Sequence, residues 1–385
     1  MKIVFASNYF NHHQKPFCDA MYGLVGDGFH FVETMPMEQE RRNMGWGEET
    51  IPAYVKRTYI GNADLALCQQ LIADADVVMY GSAPYSLVEP RLKAGKLTFK
   101  YSERIYKKGC PFYKLPWHFY LNTKKFQRYK NLYILCASAY TSADFAKTFT
   151  FLNKAYKWGY LTAVKRYEDL DGMIATKRPD SILWAGRMIP WKHPDHPLEI
   201  AKRLKAEGYD FNLRLIGNGE LESAVAQQIQ NNDLSDRVEM LGAMKPEEVR
   251  RYMEDSQIFL FTSDKNEGWG AVLNESMNSA CAVVASHAIG SVPFLVKDGE
   301  NGLIYKDGDL DDLYQKVKGL LDNQQERDRL AKQAYATMAE EWNPENAAKK
   351  LLQLFAEILN GNPRPFPFPE GVCSKAALLK DNWKK

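Results

Sequence analysis

Ile258–Ser286 reads IFLFTSDKNEGWGAVLNESMNSACAVVAS. Ile258–Ser263 is a short apolar and aromatic run, which suits a strand buried on both faces of a parallel sheet. Ala271–Ala280 reads as a helix and Ala282–Ser286 as a second buried strand. The segment is therefore strand, loop, helix, strand, which is the repeating unit of an α/β fold. In open α/β sheets, ligands bind outside the carboxyl ends of the strands, where Asn266–Gly270 falls. Two carboxylates, Glu267 and Glu275, stand in this loop and on the helix after it. Eight helical steps cover about 12 Å. That is too far to share one proton or one metal, and it fits one elongated ligand held at two points. The helix start between them offers unbonded N–H groups and a positive dipole end, which favour a phosphate. A nucleotide-sugar meets these demands, with a sugar at each end and phosphates between.

The same alternation extends through the chain, whose 385 residues allow two or three domains. Strands are expected at Lys2–Ala6, Phe29–Thr34, Val77–Tyr80, Leu97–Tyr101 and Leu132–Ala137. A second set is expected at Ser181–Ala185, Asn212–Ile216, Val238–Leu241, Ile258–Thr262 and Ala282–Ser286. Helical patterns at Pro194–Glu207, Leu221–Asn231 and Pro246–Asp255 separate the second set. The fold class is thus α/β, with two doubly wound Rossmann-like domains facing a central cleft. The charged stretch Val164–Asp180 marks the junction. The expected division is 1–165 for the acceptor side and 175–345 for the donor side. A terminal helix at 346–360 and a tail at 361–385 that packs back on the first domain complete it.

Composition narrows the function classes. Hydrophobic residues make up 45% and charged residues 25%, as in soluble globular proteins. The net charge of +2 excludes a polyelectrolyte binder acting with its whole surface. No apolar run is long enough to span a bilayer. Met1–Ser7 reads as a buried strand rather than a leader peptide. The cysteines at 18, 68, 110, 136, 281 and 373 form no Cys-x-x-Cys pair, so disulfides and a cysteine zinc site are not expected. A cytoplasmic location follows from that cysteine usage.

Four elements of the second half resemble family 4 of the retaining glycosyltransferases. Glu267-x7-Glu275 with Gly268-Trp269-Gly270 resembles its signature, and Gly186-Arg187-x4-Lys192 its Gly-Arg-x4-Lys segment. Leu215-Ile-Gly-Asn-Gly219 resembles its second-strand glycine loop, and Asp298-Gly-Glu-Asn-Gly-Leu303 its late turn. The likeness covers roughly 180–345 and reaches the first half only loosely. It implies the two-domain GT-B fold. It further implies that Arg187 and Lys192 bind the donor diphosphate, with no metal or other cofactor. Glu267 is then expected at the transferred sugar, and Glu275 at the ribose hydroxyls. Gly268, Trp269 and Gly270 let the backbone approach the sugar, while the amides of Val272 and Leu273 face the phosphate. Gly217 lies in the glycine loop, and Met244, in Gly242–Lys245, lies near the base. Retention through front-face attack needs no enzyme nucleophile.

The first half departs from the family pattern at Ser7-Asn8-Tyr-Phe-Asn-His12-His13-Gln14, where a Gly-Gly loop is usual. Asn8, His12, His13, Ser82 and Glu103 follow expected strands and are candidate acceptor or cleft contacts. Adjacent histidines on regular backbone point apart, so His12 and His13 form a poor metal pair. His30 and His193-x-x-His196 read as structural. Residues 91–130 carry many lysines, arginines and aromatic residues against one acid, Glu103. That composition suits an anionic membrane face and is set here above nucleic acid, with a solvated face over an aromatic core as the plain alternative. The partners expected are a nucleotide-sugar donor, UDP- or GDP-linked, and a glycan or lipid-linked acceptor, with no nucleic acid. The function expected is hexose transfer in bacterial surface polysaccharide synthesis. A nucleotide-sugar 2-epimerase and a non-catalytic nucleotide-sugar-binding partner are the competing readings.

Overall fold

Short apolar runs, six of them buried along their whole length, build the centre of two sheets. The computed structural model describes residues 1–39, 50–362 and 365–384. The first sheet holds β1 (Ile3–Ser7), β2 (Phe29–Glu33), β3 (Val55–Arg57), β4 (Val77–Tyr80), β5 (Thr98–Ser102), β6 (Leu132–Cys136) and β7 (Ala155–Lys157). The second holds β8 (Ser181–Ala185), β9 (Asn212–Ile216), β10 (Val238–Gly242), β11 (Ile258–Phe261), β12 (Ala282–Ser286) and β13 (Leu303–Tyr305). Their orders are β3-β2-β1-β4-β5-β6-β7 and β10-β9-β8-β11-β12-β13. Every pairing between these strands is parallel. Strand order reverses between β1 and β4 in one sheet and between β8 and β11 in the other. Such switch points open a crevice at the strand ends.

The chain divides into two compact units, 1–163 with 342–380, and 164–341 with 381–385. The helix Pro344–Leu359 therefore belongs to the first unit, and Phe355 packs on Phe99 of β5 with ring centroids 5.0 Å apart. Beyond it the tail bonds the edge strand, with the Lys157 N–H donating to Ser374 at 2.8 Å and the Tyr156 hydroxyl to Pro365 at 3.0 Å. The return ends at Lys380, because Asp381–Lys384 lie on the second unit. There Lys384 pairs with Asp298 at 2.7 Å. Within this tail, 363 and 364 fall outside the described residues.

The stretch 164–180 is part of the second unit rather than a linker. It forms a short helix, Leu170–Ala175, capped by the Asp169 carboxylate on the Gly172 N–H at 2.8 Å. Ile174 packs on Ala280 and Ala331. Lys177 is buried and donates to the carbonyls of Met253, Glu254, Ser256 and Ser279 at 3.0, 3.1, 2.9 and 2.8 Å. Sequence periodicity misses such a residue because its value lies in distant carbonyls. Lys177→Ala is expected to cost about 3 kcal/mol or more, since it orphans buried acceptors. Thermal unfolding of the variant checks this.

Candidate active site

The switch point of the second unit gathers most of the expected residues. The strand β8 ends at Ala185, and Gly186, Arg187 and Met188 follow. Hydrogen bonds tie this loop to the one after β9: Gly186 N–H to Ile216 at 2.9 Å, Met188 N–H to Asn218 at 2.7 Å. Gly217 sits at φ +128°, and a Cβ there would lie 1.9 Å from the Gly186 carbonyl oxygen. Only glycine lets the loops approach this closely. Gly217→Ala is expected to destabilise the unit by roughly 2 kcal/mol or more. It should weaken ligand binding as well, read by unfolding and calorimetry on the same sample.

Lys192 and Glu267 form one ion pair, which also receives the Ser263 hydroxyl at 3.1 Å. The Lys192 ammonium lies 5.8 Å from the Phe261 ring centre. The same ring blocks any side chain at Gly270, where φ is +83° and a Cβ would meet Phe261 Cζ at 2.3 Å. Lys192, Glu267, Gly268 and Gly270 thus share one small space at the ends of β8 and β11. In contrast, Arg187 is exposed, pairs with no carboxylate among the described residues, and lies 5.8 Å from the Trp191 ring centre. An unpaired arginine next to a pre-neutralised lysine can receive an anion without first breaking an ion pair.

The loop Glu267–Ala271 is not helical, and the helix starts at Val272 and ends at Asn278. The eight-step helical spacing between the two glutamates therefore does not apply. Leu273 N–H donates to the Gly270 carbonyl at 3.0 Å, so its amide is already spent. The amides of Gly270, Ala271 and Val272 make no hydrogen bond among the described residues. Of the amide pair Val272 and Leu273, only the Val272 N–H is open to a phosphate. The Trp269 ring is fully buried and donates to Asn274 at 2.8 Å, so only its backbone can face a ligand. Its bulk anchors the loop between the two glycines.

Glu275 follows one turn later. Its carboxylate makes no hydrogen bond or ion pair among the described residues, and burial pushes its pKa up to about 7, against the field of Arg250. Arg250 donates to the Glu275 carbonyl at 3.2 Å, the Asn278 side chain at 2.9 Å and Ser279 at 3.1 Å. A desolvated acceptor without donors is suited to a diol. Arg250 and Ser263 escaped sequence reading. Arg250 stands three positions before Met253, the buried residue of its helix, which was a legible sign that it faces inward. Met244 stands exposed after β10, with no contact among the described residues that joins it to the group. The turn at Asp298–Leu303 is structural: buried Asn301 binds Leu295 at 2.9 Å, Thr337 at 2.8 Å and Lys297 at 2.7 Å.

The first unit holds a separate cluster at its own switch point. His12 and His13 do not point apart. They occupy a turn, and their ring centres lie 3.8 Å from one another. His13 stacks on Tyr160 at 5.8 Å, and burial together with His12 lowers its pKa to about 3. Glu103 accepts from Tyr160 at 2.7 Å and Lys107 at 2.8 Å. Tyr160, remote in sequence, thus joins the two. Asn8 accepts from Ser7 at 3.1 Å, while Ser82 is exposed and joins no contact of this cluster among the described residues.

The basic segment divides into buried and exposed cations. Arg91 is buried and holds carbonyls of Ile72, Ala75, Asp76 and Leu97. Arg104 is buried against Asp144 at 3.6 Å, and Lys100 lies over the Tyr80 ring at 5.0 Å. These cations serve the core. The aromatic residues of 112–120 do not: Phe112 is 82% exposed, Tyr113 67% and Trp117 61%. Lys108, Lys114, Lys124 and Lys125 are exposed near them in sequence.

The model of a family described as glycosyl transferases group 1 matches residues 173–337. An uncharacterized glycosyltransferase of Methanocaldococcus jannaschii is 32% identical over 148 residues, covering 38% of this chain and 40% of that protein. The amylovoran biosynthesis glycosyltransferase AmsK of Erwinia amylovora is 28% identical over 189 residues, covering 48% and 46%. The chain thus spans less than half the length of these relatives. Among solved structures, Anabaena HepE in complex with UDP aligns over 94% of this chain and 100% of its own, with a TM-score of 0.68 at 16% identity. The pneumococcal O-GlcNAc transferase GtfA, in complex with UDP and GlcNAc, aligns over 93% and 99%, with a TM-score of 0.67 at 11% identity. The fold is GT-B. Its two Rossmann-like sheets carry the matched family region entirely within the second, where Lys192, Glu267 and Glu275 stand.

Proposed function

We propose that the protein is a retaining glycosyltransferase of family 4. It moves a hexose from a UDP- or GDP-linked donor to a hydroxyl of a glycan or lipid-linked acceptor in surface polysaccharide synthesis. The observation that carries this reading is the arrangement at the β8/β11 switch point. Unpaired Arg187, the Lys192–Glu267 pair and the unsatisfied Glu275 carboxylate flank a glycine loop with open amides. Arg187, Lys192 and the Val272 amide neutralise the diphosphate as the glycosidic bond breaks, so no metal is needed for the transfer. Glu275 accepts both ribose hydroxyls. Glu267, released from Lys192 by the phosphate, turns to the sugar hydroxyls near the reacting carbon. The acceptor hydroxyl attacks from the side the diphosphate leaves, and the departing phosphate oxygen takes its proton. Asn8, His12, His13 and Glu103 are the acceptor-side candidates.

HepE and GtfA were solved with UDP, so UDP-sugars are the first donors to test. Transfer measured in EDTA, with the anomer of the product determined by NMR, tests the reaction. Retained configuration and undiminished turnover are expected. An inverted product, or conversion of the donor without any acceptor, contradicts the reading. The exposed aromatics at 112–120 with their lysines support docking on an anionic membrane face. Co-flotation with phosphatidylglycerol vesicles at low salt is expected, and Trp117→Ser with Phe112→Ser should abolish it. Co-flotation that survives the pair, or none in the wild type, removes the docking face.

A further inference from the structure

A second cluster lies directly beyond Lys192 and serves none of the roles above. His193, Asp195 and His196 each bring a ligand atom to within 4.8 Å of the other two. The backbone makes this possible. His193 adopts the left-handed conformation, φ 49° and ψ 59°, between the turn Pro190–Lys192 and the helix His196–Ala206. The chain therefore folds back, and the two imidazoles stack with centres 4.4 Å apart and planes at 10°. Holding a residue other than glycine there costs about 1 kcal/mol.

Two further features point to a ligand. The His196 side chain is 8% exposed, and its buried Nδ1 makes no hydrogen bond among the described residues. Asp195 precedes the helix but does not cap it, and its carboxylate makes no ion pair among those residues. Negative charge surrounds the histidines: Asp264 lies 3.8 Å from His193 Nε2, and Asp307 is close enough to feel His193. A helix start disfavours a cation. Three carboxylates outweigh that partial charge, and the cation adjacent in sequence, Lys192, is held by Glu267.

We propose that His193, Asp195 and His196 form a site for a divalent transition-metal ion of the zinc type. Two imidazoles and one carboxylate suit zinc or cobalt, whereas magnesium and calcium ask for oxygen ligands. A tetrahedral ion with bonds of about 2.0–2.1 Å holds its ligand atoms roughly 3.4 Å apart, so ring rotation closes the site. Asp264 supplies the remaining position or orients His193. The ion takes no part in sugar transfer. Thr262 already ties the carbonyls of Lys192 and His193 to the end of β11 at 2.7 and 3.2 Å, so Lys192 keeps its place without the ion, which adds stability to the turn after it.

The test uses the full chain, stripped with EDTA and exchanged into chelator-free buffer. Cobalt(II) is titrated and followed by the visible bands of a tetrahedral ion. Zinc is then titrated against a chromophoric chelator. A single equivalent is expected, with zinc displacing cobalt and raising the melting temperature. His193→Asn, which keeps a residue tolerant of the left-handed conformation, and Asp195→Asn, at an exposed position, should each weaken zinc at least about tenfold. Asp195→Asn carries the test if the other variant fails to fold. Absence of stoichiometric binding overturns the site, as does binding undiminished in Asp195→Asn. Loss of binding in a His12→Gln, His13→Gln double variant instead overturns it too.

Discussion

Glu275→Gln is expected to stabilise the protein at pH 8 while weakening nucleoside diphosphate binding at least about tenfold. The carboxyl titrates near 7 in the folded chain because it is desolvated and lacks donors. Its folded pKa is raised above the ordinary value, so its protonated form favours folding. That stability is full below about 4.5 and is lost as pH rises through about 7. At pH 8 the ionised side chain therefore costs roughly 1–3 kcal/mol, which the amide avoids. The two proteins should melt alike near pH 4.5 and diverge as pH rises to about 7, with the variant higher and the gap constant beyond it. Binding runs the other way. Two ribose hydroxyls need the ionised carboxylate, so wild-type affinity should rise by up to about tenfold from pH 6 to pH 8. Ionisation of the ligand phosphate contributes in both proteins, and Glu275→Gln supplies that baseline. Differential scanning calorimetry and titration calorimetry over the same pH series separate the two effects. A carboxylate that merely sat on a helix surface would show neither.

The largest effect on turnover is expected at the two cations. Arg187→Ala should reduce kcat/KM by about 10²–10³. Its melting temperature should not change, because Arg187 is exposed and forms no ion pair among the described residues. Lys192→Ala should reduce kcat/KM at least as far and should also destabilise. Removing the ammonium leaves Glu267, itself only partly exposed, with the Ser263 hydroxyl as its side-chain partner. Glu267→Gln relieves that cost and should restore stability to the Lys192→Ala background without restoring turnover. Steady-state kinetics with thermal melts on the four proteins reads this out. Equal loss of stability in both single variants would contradict the assigned geometry.

Much of this was legible in the sequence, for a physical reason. Strands buried on both faces must be apolar along their length, and those inside the two sheets announced themselves to within a residue or two. The strands that went unread, Val55–Arg57, Ala155–Lys157 and Leu303–Tyr305, have three residues each and stand at sheet edges. An edge strand is defined by its partner, and too short a run carries no pattern of its own. The site divides in the same way. Glycines at 217 and 270 are forced by close approach, so they survive as readable motifs. The pairing of Lys192 with Glu267 joins residues 75 positions apart and leaves no trace in local spacing. Nor does composition tell a buried Arg91 from an exposed Lys114, since both are cations among aromatics until the fold separates them.

The β8/β11 switch point is expected to bind a nucleoside diphosphate without a metal. Titration calorimetry in EDTA with UDP, GDP, ADP and CMP tests it most directly, on wild type, Arg187→Ala and Glu275→Gln. One nucleoside diphosphate should bind the wild type, and both variants should lose at least about tenfold in affinity. Binding of none, or binding indifferent to both substitutions, would mean that Asn266–Glu275 is not the donor site.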